Sequence, residues 1–404
     1  MRPLARLTAS GADVVPLLRA ALAGDGPALL ARPVDAPAAA VAAGDPPPPA
    51  EVERRVALVV ETSGTTSRPK RVALSSDALL ASAAASQAAL GAPGQWILAL
   101  PTHYIAGLQV IVRSIAAGTA PAVLAPGSFD PRAFAELAGS LDARVARYTS
   151  LVPTQLHRLV DAAEGGAGVD RAATGDDTRR IRDAVRGLDA ILVGGQATPP
   201  HLVDRAAALG WRVVRTYGSS ETAGGCVYDG VPVATAEVAV VDGQVELAGP
   251  MLAEGYLGDP AATDAAFAEH DGRRWYRTGD GGELVDGVLR IIGRLDDVVI
   301  SGGEKLRLAA VEEAVRSLAA WRAGLGEAVA VPGEHAGWGQ RPVVFVPGVV
   351  DLELAERVRR ELAARLGRVA GSTLVRGIDA MPSLPSGKPD RRALRALADG
   401  DPTV

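Results

Sequence analysis

Val56-Ala57-Leu58-Val59-Val60-Glu61-Thr62-Ser63-Gly64-Thr65-Thr66-Ser67-Arg68-Pro69-Lys70 opens with five apolar residues and then turns abruptly polar. The apolar run Val56 to Val60 predicts a buried strand. From Thr62 to Ser67 every residue except Gly64 bears a hydroxyl, and a lysine closes the stretch. Ser75-Ser76-Asp77 then supplies the small polar residues that open a helix. A loop of this composition between a strand and a helix offers backbone donors, side-chain donors and one cation, the chemistry of a phosphate grip. It is not a Walker A loop: the second glycine of that pattern is absent, Pro69 precedes the lysine, and Arg71 stands where Ser or Thr would follow.

Outward from this stretch, short apolar runs alternate with Ala-rich helical segments. Trp96 to Leu100, Arg144 to Thr149, Ala190 to Val193 and Arg212 to Thr216 read as further strands. The alternation predicts an α/β fold. From about Val233 to Ile292 the pattern becomes strand-rich, and Val238 to Leu247, turning at Asp242-Gly243, reads as a β-hairpin in a second layer of the same domain. Residues 33–49, rich in Ala and Pro and ending in four prolines, read as an exposed linker. The charged segment Gly293-Arg294-Leu295-Asp296-Asp297 precedes enough chain for a small α+β domain. We therefore expect a large α/β domain with a β-rich layer over 1–293, a hinge at 294–297 and a small mobile domain over 298–404.

Composition narrows the function. With 404 residues and 48% apolar content the chain is long enough for two packed domains. No apolar stretch is long enough for a membrane span and no signal region opens the chain, so a cytoplasmic location is expected. The single Cys226 forbids an intrachain disulfide, and five scattered histidines lack metal-ligand spacing. A net charge of −5 gives no footprint for nucleic acid. Among 42 basic side chains only Lys70, Lys305 and Lys388 are lysines. Where Arg has replaced nearly every Lys, the survivors mark places where a compact ammonium differs from a planar fork.

Five motifs in order resemble the adenylate-forming superfamily of acyl-CoA synthetases, adenylation domains and luciferases. They are Thr62 to Lys70, Tyr217-Gly218-Ser219-Ser220-Glu221-Thr222, Tyr276-Arg277-Thr278-Gly279-Asp280, Gly293 to Asp297 with Ser301-Gly302-Gly303-Glu304-Lys305, and Pro385-Ser386-Gly387-Lys388. The resemblance implies that a carboxylate attacks ATP to give an acyl-adenylate and pyrophosphate, and that a thiol then takes the acyl group. It implies that Thr62, Ser63, Gly64, Thr65, Thr66 and Lys70 hold phosphate. Tyr217 and Gly218 would pack on adenine beside the bare backbone of Gly195 and Gln196, and Thr222 would close the motif. Glu221 would hold Mg2+, Asp280 the ribose hydroxyls, and Arg294 ribose or phosphate. Lys388 would bridge the developing charge, Asp296 would be the hinge, and Gly302 and Gly303 would line a channel for the pantetheine arm of coenzyme A. Lys305 has two open readings, a CoA phosphate contact or a surface lysine.

Departures from the superfamily pattern are visible. Ser67 and Arg71 stand where glycines are usual, and Tyr104 stands where Pro101 to Gly107 would hold histidine, with His103 one place early. The chain is short for the superfamily. Ser150 to Leu156 and Gly224 to Gly230 are similar to the o-succinylbenzoate-CoA ligase branch, which implies a two-carboxylate acid and a role in making menaquinone. Tyr104, Gly107 and Arg113 are then candidates for the acid pocket. Arg113 sits mid-way along an apolar helical segment, where a cation needs a partner or a route to water. The alternatives are another aryl- or acyl-CoA ligase, a stand-alone adenylation enzyme loading a carrier protein, and a nucleotide-binding regulator without catalysis. Expected partners are the acid, ATP and CoA, with a homodimer left open.

Overall fold

The computed structural model describes residues 1–32, 47–62, 70–165, 175–295, 297–301, 304–335, 339–384 and 389–399. The chain divides into two compact units, one of residues 1–239 and 246–277, the other of residues 240–245 and 278–404.

In the first unit the opening apolar run forms the strand Val56–Thr62, with Val56 to Val60 all buried. Burial on both faces explains why the run is continuous rather than alternating. Lys70–Ser75 pairs with it antiparallel, Glu61 opposite Arg71 and Thr62 opposite Lys70, and Ala28–Ala31 pairs with it parallel. The whole sheet runs Gly255–Tyr256, Lys70–Ser75, Val56–Thr62, Ala28–Ala31, Arg2–Arg6, Glu51–Val52.

A second sheet contains the four other strands read from the sequence, as Gly94–Leu98, Ala146–Leu151, Ala190–Val193 and Val213–Ser219, joined by parallel pairings. Two of them shift by two residues. Arg144 belongs to a turn because the Asp142 carboxylate accepts its backbone N–H and its guanidinium, so that strand begins at Ala146. The first strand ends at Leu98, ahead of a turn in which the Tyr104 N–H donates to Pro101 O. Helices Pro131–Gly139, Pro153–Glu164, Gly175–Arg186 and Pro200–Ala208 cover one face, burying Phe134, Leu156, Leu159 and Ile181. Helix Ser76–Leu90 packs against strands of both sheets. The Ser75 side chain caps it by accepting from Ala78 N–H, and Gly91 ends it in the left-handed region. Helix Ile105–Ala116 packs against the second sheet.

The expected hairpin is present as Glu237–Val241 and Gln244–Ala248, turning through left-handed Asp242 and Gly243, the backbone that a two-residue hairpin loop demands. Strand Arg273–Val285 pairs by its first half with Phe267–His270, inside the first unit, and by its second half with Val288–Arg294, inside the second.

The second unit is built on a sheet ordered Glu304–Arg307, Val298–Ser301, Gly339–Pro347, Val329–His335, with Leu374–Ile378 parallel to Gly339–Pro347. Helices Leu308–Arg316 and Leu352–Leu366 bury Val311, Val315, Val358 and Leu362 on one face. Helix Arg391–Asp399 places Leu394 on the other, against Val331, Val343 and Phe345. Among the described residues no helix is long and apolar enough to cross a membrane. Most of the expected linker at 33–49 lies outside them.

Candidate active site

The mouth of the hairpin formed by Val56–Thr62 and Lys70–Ser75 is the rung Thr62–Lys70, where the Thr62 hydroxyl donates to Lys70 O at 3.4 Å. Ser63, Gly64, Thr65 and Thr66 lie outside the described residues. The Lys70 ammonium sits over the Tyr256 ring, 4.7 Å from its centroid, a cation–π contact. The hydroxyl of that tyrosine donates to Glu221 Oε1 at 2.9 Å. Two residues read as separate motif members, Lys70 and Glu221, thus meet through a third.

Glu221 is only 7% exposed. It lies in the single 3-10 turn Ser220–Thr222 that follows Val213–Ser219, held by exchange between Ser219 and Thr222: Thr222 Oγ1 accepts from Ser219 N–H at 2.9 Å, and Ser219 Oγ accepts from Glu221 N–H. Thr222 also donates to Gly224 O at 2.7 Å, and Ser82 donates to Ala223 O at 3.0 Å, tying the turn to helix Ser76–Leu90. Ala253 N–H donates to Glu221 O, which brings the Tyr256 strand alongside. Gly218 must be glycine. Its φ is 156°, and a Cβ there would meet Gly224 O at 2.2 Å. Tyr217, half-buried, precedes this irregularity in the pairing with Gly224–Tyr228. Gly195 and Gln196 follow the end of Ala190–Val193.

Burial, and after it the Glu221 charge, holds the Tyr256 phenol above its ordinary pKa, so its proton stays to be donated. One Glu221 oxygen is thereby committed, while the other has no protein partner among the described residues. No group of three or more His, Cys, Asp or Glu able to hold a metal occurs among the described residues.

Of the residues expected to border the acid, Tyr104 precedes helix Ile105–Ala116 in extended conformation, with its ring 4.1 Å from that of His103. Gly107 is the one residue that fits its place: a Cβ would meet Pro101 O at 2.3 Å. Arg113 carries three readings from the sequence, a route to water, a structural carboxylate or the carboxylate of the acid, and it meets neither of the first two among the described residues. It is 7% exposed, donates to Ser150 Oγ at 3.3 Å, and stacks 4.8 Å from the Trp96 ring centroid. Its Nε has no partner, and no ion pair meets the guanidinium among the described residues. Burial lowers its pKa from the ordinary arginine value, with Tyr228 opposing. Cys226, two residues before that tyrosine, is buried, and desolvation pushes its thiol up to about 12, so it is no thiolate nucleophile.

In the second unit Asp280 faces Arg294 across neighbouring strands. Arg294 donates to Asp280 Oδ1 at 3.4 Å and to Thr278 O at 2.9 Å. Lys305 lies exposed opposite Ile300. Asp296, Gly302, Gly303 and Lys388 lie outside the described residues. The chain on either side of 385–388 is joined by a Ser383–Pro389 bridge and by Asp390 N–H donating to Pro382 O. Just beyond, Arg391 donates to the buried Glu312 at 2.6 Å and to Ala330 O.

Sequence reasoning missed Tyr256 and the pairing of Glu61 with arginines described below. A signal for the tyrosine exists in principle, since a buried tyrosine needs an acceptor for its hydroxyl. The acceptor is 35 residues away in sequence and cannot be named without the fold.

Comparison with known proteins gives concordant results. The profile described as "AMP-binding enzyme" matches residues 10–257. The protein named "Probable 2-succinylbenzoate--CoA ligase" of Mycobacterium tuberculosis is 37% identical over 394 residues, covering 94% of both chains. The 2-succinylbenzoate--CoA ligase of Lactococcus lactis subsp. lactis is 28% identical over 364 residues, 85% of this chain and 71% of that protein. Among solved structures, the o-succinylbenzoate CoA synthetase of Bacillus subtilis in complex with the acyl-adenylate intermediate OSB-AMP superposes with a TM-score of 0.67 at 25% identity, covering 84% of this chain and 69% of that one.

Proposed function

The chain belongs to the AMP-binding enzyme family, and from that membership we propose that it is an ATP-dependent 2-succinylbenzoate–CoA ligase. Its reaction is the joining of an acid to AMP and then to the thiol of coenzyme A. The relatives' names support this substrate. From the chain itself the supporting observation is Arg113, a buried guanidinium beside Ser150 and Trp96 with no carboxylate of its own. 2-Succinylbenzoate has two carboxylates. The succinyl one reacts, and the aromatic one stays charged throughout. A cation kept dry and uncompensated is what such a spectator charge requires, because a bidentate guanidinium–carboxylate contact would offset the desolvation of both.

In the first half-reaction a succinyl carboxylate oxygen attacks the α-phosphorus of ATP, and the bond to the leaving pyrophosphate oxygen breaks. Catalysis here is positioning plus electrostatics. Tyr217 stacks on adenine beside the backbone of Gly218, Gly195 and Gln196, and Asp280 accepts from the ribose hydroxyls with Arg294 as support. Thr62, Ser63, Gly64, Thr65, Thr66 and Lys70 hold the phosphates, and Thr222 fixes the turn that presents Glu221. Mg2+, held by Glu221, would neutralise phosphate charge. Tyr256 fixes one Glu221 oxygen and leaves the other for the ion. Lys388 bridges the charge developing between carboxylate and α-phosphate. In the second half-reaction a turn at Asp296 withdraws Lys388. The thiol sulfur, reaching through a channel lined by Gly302 and Gly303, attacks the acyl carbon, and AMP leaves. Tyr104 and Gly107 border the acid. A cytoplasmic location suits these soluble substrates.

The test is pyrophosphate release by the purified protein with ATP, Mg2+ and 2-succinylbenzoate, followed by addition of CoA. Acid-dependent release and a CoA thioester are expected. Release with benzoate or succinate alone, at equal efficiency, would reject the substrate, and a thioester formed only on a carrier protein would reject CoA as the acceptor.

A further inference from the structure

Three neighbouring strands end in a row of charges that the reaction as described leaves unused. Arg32 follows Ala28–Ala31, Glu61 lies near the end of Val56–Thr62, and Arg71 lies near the start of Lys70–Ser75. Arg32 grips Glu61 with both prongs of its fork, Nε to Oε2 and Nη2 to Oε1, each at 2.6 Å. From the other side Arg71 Nε donates to Glu61 Oε1 at 3.0 Å. The two arginines are 8% and 9% exposed, and Glu61 is 17% exposed. Two guanidinium groups therefore share one carboxylate, and a unit of positive charge is left over in a site from which water is largely excluded. Neither arginine meets any other acid among the described residues.

A buried excess charge is costly unless an ion of opposite sign approaches it. Its place shows where that ion would come. The Glu61–Arg71 rung is directly next to Thr62–Lys70, the mouth of the hairpin whose two strands are joined by residues 63–69. Lys70, on the adjoining rung, lies on the opposite face of the sheet over Tyr256, so the trio carries its one surplus positive charge by itself, at the root of the hairpin.

We propose that Arg32, Glu61 and Arg71 are positioning residues for the nucleotide's polyphosphate: the cluster fixes the root of the phosphate-holding hairpin and sets ATP affinity through its uncompensated positive charge. The proposal rests on the reading of residues 62–70 as the phosphate grip. Arg71 stands where a glycine is usual and Glu61 pairs with it across the strand, so the device belongs to this chain's own sequence.

Charge and architecture predict opposite signs for Glu61→Gln and a different ligand selectivity for the arginine substitutions, read by calorimetric titration of the intact protein with ATP, pyrophosphate and adenosine. Arg71→Met and Arg32→Met each remove the surplus and should weaken ATP and pyrophosphate about tenfold, with adenosine changed less than about twofold. Glu61→Gln raises the surplus and should tighten both phosphate ligands, with a steeper dependence on ionic strength. Arg71→Lys should recover most of the loss. A purely architectural cluster would weaken all three ligands together and would give Glu61→Gln the same sign as the arginine variants, and either result overturns the proposal. If Arg71→Met does not fold, the opposed signs of Arg32→Met and Glu61→Gln decide alone. Failure of the unaltered protein to bind ATP would overturn the phosphate-grip reading together with this one, whereas ATP binding indifferent to all the substitutions overturns this one alone.

Discussion

Glu312 in the second unit and Arg113 in the first are both buried charges, and their surroundings differ completely. Glu312, 5% exposed, accepts from Arg391 at 2.6 Å, from Arg316 one helical turn on at 3.0 Å, and from Ala330 N–H at 2.8 Å. Arg113 has one hydrogen bond at 3.3 Å, an aromatic face and an empty Nε. A buried charge whose partners are all supplied by the chain is part of the architecture: it fixes helix Leu308–Arg316 against strand Val329–His335 and helix Arg391–Asp399. For Arg113 the described residues supply no counter-charge, and the acid is the ligand proposed above to bring one. The proposed difference between the two charges can be tested by removing each.

The largest effect is expected at Glu312. Glu312→Ala should lower the stability of the protein by about 3 kcal/mol, because the buried Ala330 N–H loses its acceptor and Arg391 and Arg316 lose charged hydrogen bonds, measured by urea unfolding. The acid and ATP KM values of the remaining folded protein should not move. A loss under about 1 kcal/mol would reduce this cluster to the worth of a surface pair and dissolve the contrast.

Arg113 should behave in the reverse manner. Arg113→Ala should raise the 2-succinylbenzoate KM by the equivalent of about 2 kcal/mol, the scale of a lost charged hydrogen bond, with the ATP KM little changed. Arg113→Met, close in volume, should leave the melting temperature unchanged or raised, because removing an uncompensated buried cation relieves a desolvation cost. Steady-state kinetics with both substrates and thermal melts give the readouts. A folded Arg113→Ala with unaltered acid KM would exclude the role.

A smaller effect is expected at Tyr256, which lies between these extremes because it completes only half of Glu221's needs. Tyr256→Phe keeps the ring under Lys70 and removes one hydrogen bond to the carboxylate. The freed oxygen can then turn, so the Mg2+ concentration for half-maximal adenylation should rise about fivefold, equivalent to about 1 kcal/mol. Titrations of ATP binding with and without Mg2+ separate this from general damage: only the Mg2+-dependent part should weaken. Equal weakening in both would make Tyr256 a packing residue.

The same contrast explains what was legible in the sequence. Thr62 to Lys70 and the stretch around Glu221 carry the resemblance to the family because each restricts residue types over a few consecutive positions. The helix bearing Arg113 could be read from its apolar run, and the odd cation in it was visible as an unmet need. The satisfaction of charges was not legible. Arg32 and Glu61 are 29 positions apart, Glu312 and Arg391 are 79 apart, and Tyr256 reaches Glu221 over 35. Such pairs exist only once strands and helices are docked, and no local pattern encodes them. The two-residue displacement of strand Ala146–Leu151 has a local cause, the Asp142 side chain drawing Arg144 into a turn, which a propensity for extended structure does not register.

The smallest effect should appear where a buried charge shares its partners with solvent. Glu246 is buried, and it is met by His270 Nε2 at 2.7 Å and by Arg277 Nε at 3.3 Å, both from the more exposed strands beside it. Its hydrogen bond to Glu246 raises the His270 pKa above the ordinary histidine value, burial opposes, and Asp271 adds to the rise. The His270 ring stacks flat on Trp275 at 5.0 Å, so it is held in place whichever charge it bears. A raised folded-state pKa means that the imidazolium's contribution to stability is complete below the unfolded value of about 6.5 and is lost as pH rises through the higher folded value. The melting temperature should therefore decline slightly across that window, and His270→Gln, which can still donate to Glu246 but does not titrate, should flatten the decline. Arg277 remains charged throughout and keeps Glu246 paired, so the decline should stay well short of the Glu312→Ala loss. An identical pH profile in the variant would show that Arg277 alone completes Glu246, which would move that carboxylate fully into the architectural class.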